Sequence, residues 1–219
     1  MRISDLSRQA GVSIPTIKFY LRERLLPPGT ATGRNQAAYG EVHLRRLELI
    51  KALTQIGQLE LTTVRQLLAA IEDHQQPLPQ LYELVDQAHP VPEPAPGSST
   101  EHLPGARSDV DTLLDDLGWQ VGKQAPARER LTAVIATLRR LGCDCRMEFF
   151  NDYAAAAETQ AVKELDLLPA DGVGADRAAA VVRSVLLAAA MAALRRMAQE
   201  HYVSSRFGLV ADHTGPRSA

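Results

Sequence analysis

Within the stretch SIPTIKFYLRERLLPPG, residues 13–29, the side chains of Pro15, Thr16, Lys18, Phe19 and Arg22 would share the outer face of a short helix. Their chemistry suits a polyanion. A helix start carries unpaired N–H groups that donate readily to phosphate oxygens. Thr16 and Lys18 can donate to phosphates or base edges, and Phe19 can lie along a sugar or a thymine methyl. The insert GRNQAAY follows, with Arg34 and Asn35 placed to reach an adjacent groove and His43 just beyond, within range of backbone phosphate. The same residues would equally suit a small helical hairpin whose basic face is merely solvated, because a short motif match is only a hypothesis.

Other chemistries lack their residues. No nucleophile elbow, H-E-x-x-H motif, phosphate loop or recognisable carboxylate pair is present, so no enzyme is expected. Cys143 and Cys145 could hold a soft ion as two thiolates, but structural sites mostly take four ligands and no histidine completes a set. We therefore expect neither metal nor cofactor. Trp119, Phe149, Phe150 and Tyr153 could line a ligand pocket between helices, or simply pack as core.

The elements that must position these side chains are helices. Ser4 can cap a first helix that Gly11 ends, and Ser13 caps a second with Pro15 in its first turn, where no intrahelical N–H is lost. Ile17, Tyr20 and Leu21 then face inward, and Pro27-Pro28-Gly29 stops the segment. The tight Ala10–Ser13 turn makes the pair a helix-turn-helix. Turn-rich residues 30–40 exclude a helix there; apolar periods place helices at 41–55, 62–72 and 78–89. Residues 90–108 hold prolines, glycines and serines without an apolar period and read as an extended linker. Further helices are expected at 109–117, 127–141, 148–167 and 175–204, the last being either a central core helix or a dimer seam.

The expected fold is thus mainly α. Its parts are a DNA-binding head with a small wing (1–73), a connector helix (74–89), a Pro/Ser/Gly-rich linker (90–107) and an all-helical C-terminal domain (108–213). Charge divides along similar lines. Residues 1–72 carry 10 Lys and Arg against 6 Asp and Glu, whereas the remainder carries 14 against 20. A basic head on an acidic body hints at a polyanionic partner. No signal-like start, disulfide framework or uninterrupted apolar run of membrane-spanning length is seen, so a cytoplasmic protein is expected.

The segments ISDLSRQAGVSIPTIKFYLRERLLPP and LRRLELIKALTQIGQLELTTVRQLL, with a wing ending at Tyr39 between them, resemble the winged helix-turn-helix domain of MerR-family transcription regulators. The likeness is distributed over residues 1–73 rather than resting on one motif. It makes the second helix the recognition helix and implies DNA-facing or DNA-bracing roles for Ser13, Thr16, Lys18, Phe19, Tyr20, Arg22, Arg34, Asn35, Tyr39 and His43. Departures are informative. The family usually has arginine at Pro15 and Lys18, tyrosine at Phe19 and glutamate at Leu21. Lys18 keeps charge without a planar fork, Phe19 lacks a hydroxyl, and Pro15 cannot read a base by hydrogen bond. These changes bear on which sequence is read.

The resemblance further implies a bacterial regulator, associated with the nucleoid when bound. It would act as a homodimer on an inverted repeat in a promoter and distort the DNA before RNA polymerase. A small-molecule effector in the C-terminal domain fits the same picture. An architectural or excision-type DNA-bending protein without a ligand is the alternative, which the long helical second half argues against.

Overall fold

The computed structural model describes residues 1–33, 36–73, 75–89, 102–143, 146–169 and 176–207. Helix α1 (Ile3–Ala10) leads through Gly11, in the left-handed conformation at φ 60°, into α2 (Ile14–Arg22). A two-stranded antiparallel hairpin follows, β1 (Thr30–Gly33) and β2 (Gln36–Ala38). Next come α3 (Glu41–Lys51), continued by a π-helical turn (Ala52–Ile56), α4 (Leu61–Glu72) and α5 (Leu78–Gln87). The second half holds α6 (Leu103–Leu117), α7 (Pro126–Arg140), α8 (Glu148–Leu165) and α9 (Arg177–Phe207).

Two boundaries differ from expectation for identifiable reasons. Helix α1 begins before Ser4, because the Asp5 carboxylate accepts from the Arg2 backbone N–H at 3.2 Å and so supplies the cap. Helix α6 begins at Leu103, inside the stretch read as linker. Pro104 falls in its first turn, where proline is tolerated, so it starts the helix instead of excluding it. Most of the expected linker lies outside the described residues.

Three apolar clusters hold the chain. The first joins Leu6, Ala10, Val12, Ile17, Leu26, Tyr39 and Leu47, and closes the helix-turn-helix on α3. The second gathers Ile50, Leu53, Val64, Leu67 and Leu68 with Leu81 and Val85 of α5, and also takes in Val181 and Val185 of α9. Adjacent Leu25 and Leu26, both almost wholly buried, point one into each cluster and fix the turn after α2. The third lies between α6 and α7, around Val110, Leu114 and Ile135.

The last helix therefore has two characters. Its first turns belong to the head: the Arg177 guanidinium donates to the carbonyls of Ala70 (3.1 Å), Ile71 (3.3 Å), Asp73 (3.2 Å) and Gln76 (2.5 Å), satisfying the open end of α4. From residue 190 onward nearly every side chain is exposed. The sequence weighed core helix against seam as alternatives, yet one continuous helix changes surroundings midway. By length and composition α9 could also cross a membrane, which uninterrupted apolar runs had not indicated. Val181 and Val185 are nevertheless closed inside protein.

Candidate nucleic-acid interface

The turn between α1 and α2 is secured from three sides. Ser7 Oγ donates to Val12 O at 2.6 Å, Lys51 Nζ reaches Ala10 O at 2.9 Å, and Ser13 Oγ accepts from Thr16 N at 3.2 Å. The Ser13 and Thr16 hydroxyls also bond each other at 2.7 Å. Ser13 and Thr16 thus cap and brace the start of α2, with Thr16 half-buried and Lys18 exposed.

The end of α2 does not depend on Pro27 and Pro28. Arg24 turns the chain at φ 58°, and the Leu25 and Leu26 N–H groups fold back onto Tyr20 O at 2.9 and 3.2 Å. The two prolines only carry the chain away from a helix already ended. Arg46 then holds this turn: its Nε donates to Leu25 O at 2.9 Å and Nη1 pairs with Glu72 at 2.9 Å. Burial lowers the Arg46 pKa from the ordinary value, and Glu72 partly offsets that.

The wing is anchored at its base. Gly29 sits so close to the returning strand that a Cβ there would lie 2.8 Å from Ala38 O, leaving room only for glycine. Tyr39 is buried; its N–H donates to Met1 O at 2.9 Å, and the Met1 nitrogen donates to Tyr39 O at 2.7 Å. His43 accepts at Nδ1 from Gly40 N (3.1 Å), which leaves Nε2 to donate to Pro28 O (3.4 Å). Its ring meets Tyr39 edge-on at 5.2 Å. Tyr39 and His43 therefore lock the two ends of the hairpin to each other.

Between α2, the start of α1 and the hairpin lies an open concavity of about 930 Å³, bordered by Lys18, Arg2, Thr32 and Gln36. Among the described residues no carboxylate forms an ion pair with Lys18 or Arg2, because Asp5 is taken by Arg8 at 3.0 Å. Lys18 and Arg2 thus face one hollow without ion-pair partners of their own, and Asp5, engaged by Arg8, is the one carboxylate among the described lining residues. Arg2 was not singled out by sequence reasoning, since nothing in a residue ahead of the first helix marks it as a neighbour of the wing. Arg34 and Asn35, expected at the wing tip, lie outside the described residues.

The remaining outer-face residues are engaged locally. The Arg22 guanidinium lies 5.3 Å from the Phe19 ring centroid and pairs with Glu23 at 3.3 Å. Phe19 also meets Tyr20 at 5.9 Å. Tyr20 packs against both head clusters, and burial raises its phenol pKa above 10.0. It sets the orientation of α2 from within.

In the second half, Phe149, Phe150 and Tyr153 stack with ring separations of 5.2 to 6.2 Å. Trp119 and Phe150 share packing on the third cluster, whereas Phe149 and Tyr153 stay about half exposed. Tyr153 accepts from Arg195 of α9 at 3.2 Å.

Comparison with known proteins follows the same division. Residues 1–71 match the family described as MerR HTH family regulatory protein. Over 69 residues the chain is 32% identical to the HTH-type transcriptional regulator CueR of Yersinia pestis, covering 32% of this chain and 49% of that protein. Over 50 residues it is 38% identical to the HTH-type transcriptional regulator ZntR homolog of Haemophilus influenzae, covering 23% and 37% respectively. The chain thus spans less than half the length of these curated relatives. The crystal structure of the proposed transcriptional regulator SCO5550 from Streptomyces coelicolor A3(2) aligns over 97% of this chain and 100% of that one. Its TM-score is 0.70 and the identity 33%.

Proposed function

We propose a specific DNA-bound role for this chain, which belongs to the MerR family of helix-turn-helix regulators. It acts as a homodimer on an inverted repeat within a promoter, with residues 1–73 of each copy on one half-site. The observation that carries this reading is the concavity where Lys18 and Arg2 stand beside the hairpin without paired carboxylates. Such a hollow attracts a phosphate backbone, while the rigid α1–α2 turn supports direct reading by α2 in the major groove.

Within this proposal Ser13 and Thr16 present the helix start, Lys18 reaches base or phosphate, and Tyr20, Tyr39 and His43 brace the reading surface. Phe19 and Arg22 form a stacked unit alongside, and Arg34 and Asn35 extend the contact from the hairpin tip. The DNA is distorted on binding so that RNA polymerase meets a realigned promoter. A small molecule held near Trp119, Phe149, Phe150 and Tyr153 is the proposed effector of residues 108–213. The exposed part of that aromatic group supports it.

A nuclease footprint on the DNA upstream of the gene for this protein tests the core of the proposal. Protection of an inverted repeat between promoter elements, with enhanced cutting at its centre, is expected. Protection of one unpaired site, or of DNA without sequence preference, would contradict it.

A further inference from the structure

Helix α5 has no apolar face left to offer a second copy. Leu81 and Val85 are buried in the second cluster, and Asp86 is held by Arg130 of α7. What α5 exposes is Pro79, Gln80, Glu83 and Gln87. The opposite holds for the distal part of α9. Leu187, Met191, Leu194, Ala198 and Tyr202 recur at intervals of four, three, four and four residues, which lines them along one side of a helix. Met191, Leu194 and Tyr202 are 40, 56 and 58% exposed, and no described residue covers them. Helix α8 beside it buries only Ala154 and leaves Phe149 and Val162 open.

We infer that this α8–α9 face is the seam between two copies of the chain. The inference rests on the dimeric reading above and locates its interface. A helix gains most of its stability from packing an apolar face, and here α8, apart from Phe150 and Ala154, and the outer part of α9 lack that packing within one chain. Five large apolar side chains border this line: Met191, Leu194 and Tyr202 on α9, with Phe149 and Tyr153 on α8. At about 100 Å² each they offer roughly 500 Å². The exposed Ala190, Ala198, His201 and Ser205 on the same side of α9 extend the face toward the roughly 800 Å² that each partner of a stable pair buries. The rim carries both signs, with Arg195 and Arg206 on α9 and Glu148 and Asp152 on α8, all exposed. Such a rim complements its own image across a two-fold axis, whereas its carboxylates are repelled by an anionic lipid surface.

Sedimentation of the full chain at micromolar concentration tests the inference. The unaltered protein should run as a dimer. Met191→Glu with Leu194→Glu should weaken association by roughly a hundredfold or more, since each places a charge in the seam. Glu83→Lys with Gln87→Lys on α5 should leave the dimer unchanged. Should the glutamate variant not fold, single cysteines replace it in a chain with Cys143→Ser and Cys145→Ser. Met191→Cys, Leu194→Cys, Ala198→Cys and Tyr202→Cys should include at least one that cross-links two copies on mild oxidation. Glu200→Cys, on the other side of α9, should not.

A dimer that survives the α9 substitutions, or dissociates with the α5 pair, would overturn the inference. So would a monomer that partitions into phosphatidylglycerol–phosphatidylcholine vesicles. Binding of a labelled duplex from the DNA upstream of the gene, measured on the same samples against random competitor, separates the two readings. A dimer lost through α9 that never binds DNA refutes the function but supports the seam. DNA binding with an unaffected dimer does the reverse.

Discussion

Single residues carry most of what the head does, and Lys18 is the sharpest case. It is exposed at the edge of the concavity with no paired carboxylate among the described residues. Lys18→Ala should weaken binding of a specific duplex by about 1–3 kcal/mol and relax preference at one position of each half-site. Unchanged affinity in a competition titration would remove Lys18 from the interface. Arg24 makes a different point. It adopts φ 58° where glycine would be at ease, which costs an L side chain about 1–2 kcal/mol. Arg24→Gly should therefore raise stability in urea by about 0.5–1 kcal/mol, less than the full cost because glycine also loosens the unfolded chain. This turn was not legible in the sequence. Arginine carries no turn signal, so the visible prolines three residues later were given the task of ending α2. The capping roles of Ser13 and the buried Ile17 were legible, because each follows from local hydrogen bonding or a helical period.

Among elements, α9 and its contacts with the head matter most. Arg177 donates to four carbonyls around the end of α4. Arg177→Ala should cost about 2–3 kcal/mol in denaturant unfolding, and Arg177→Lys should recover little, since an ammonium cannot span a planar fork of acceptors. Gly57 tests the same junction from the other side. A Cβ there would stand 2.4 Å from Val185 Cγ1 and 2.7 Å from Leu53 O, so Gly57→Ala must displace α9 or the π-helical turn. A loss of about 1–3 kcal/mol is expected, visible as a lowered Tm. The helices of the second half were legible as helices from their apolar periods. Their partners were not. An alanine-rich helix is apolar on every side, so its sequence does not say where core ends and open surface begins. Nor did alternation reveal the wing, whose strands of four and three residues are too short to show a period.

For the whole molecule, the balance of charge sets how binding responds to salt. Among the described residues the head presents few cations without ion-pair partners, with Arg2 and Lys18 in the concavity and Arg22 already paired to Glu23. If each copy neutralises about three phosphates, log K should fall against log salt with a slope of about −5 for the dimer. Titration of a labelled operator over a range of KCl concentrations measures it. A slope beyond about −9 would mean that basic residues elsewhere join the contact. Fold class could be read from sequence, since it depends on periodicity and on residues close in the chain. The shared core of α4, α5 and α9 could not, because it joins residues more than a hundred positions apart.

Under the dimeric reading, the uninterrupted course of α9 would make the pair a measuring rod. From Val185 in the head core to Phe207 at the outer end runs a span of 22 residues, or about 33 Å at 1.5 Å per residue. One turn of DNA separates half-sites by about 34–36 Å. Inserting one residue between Val185 and Leu187, where the head core gives way to the seam, would lengthen the rod by only about 1.5 Å but swing each head by about 100° around the helix axis. An added stretch of seven residues, close to two full turns, would restore the phase. Operator recognition should therefore tolerate changes in α9 length as a periodic function, failing between turns and returning near each whole one.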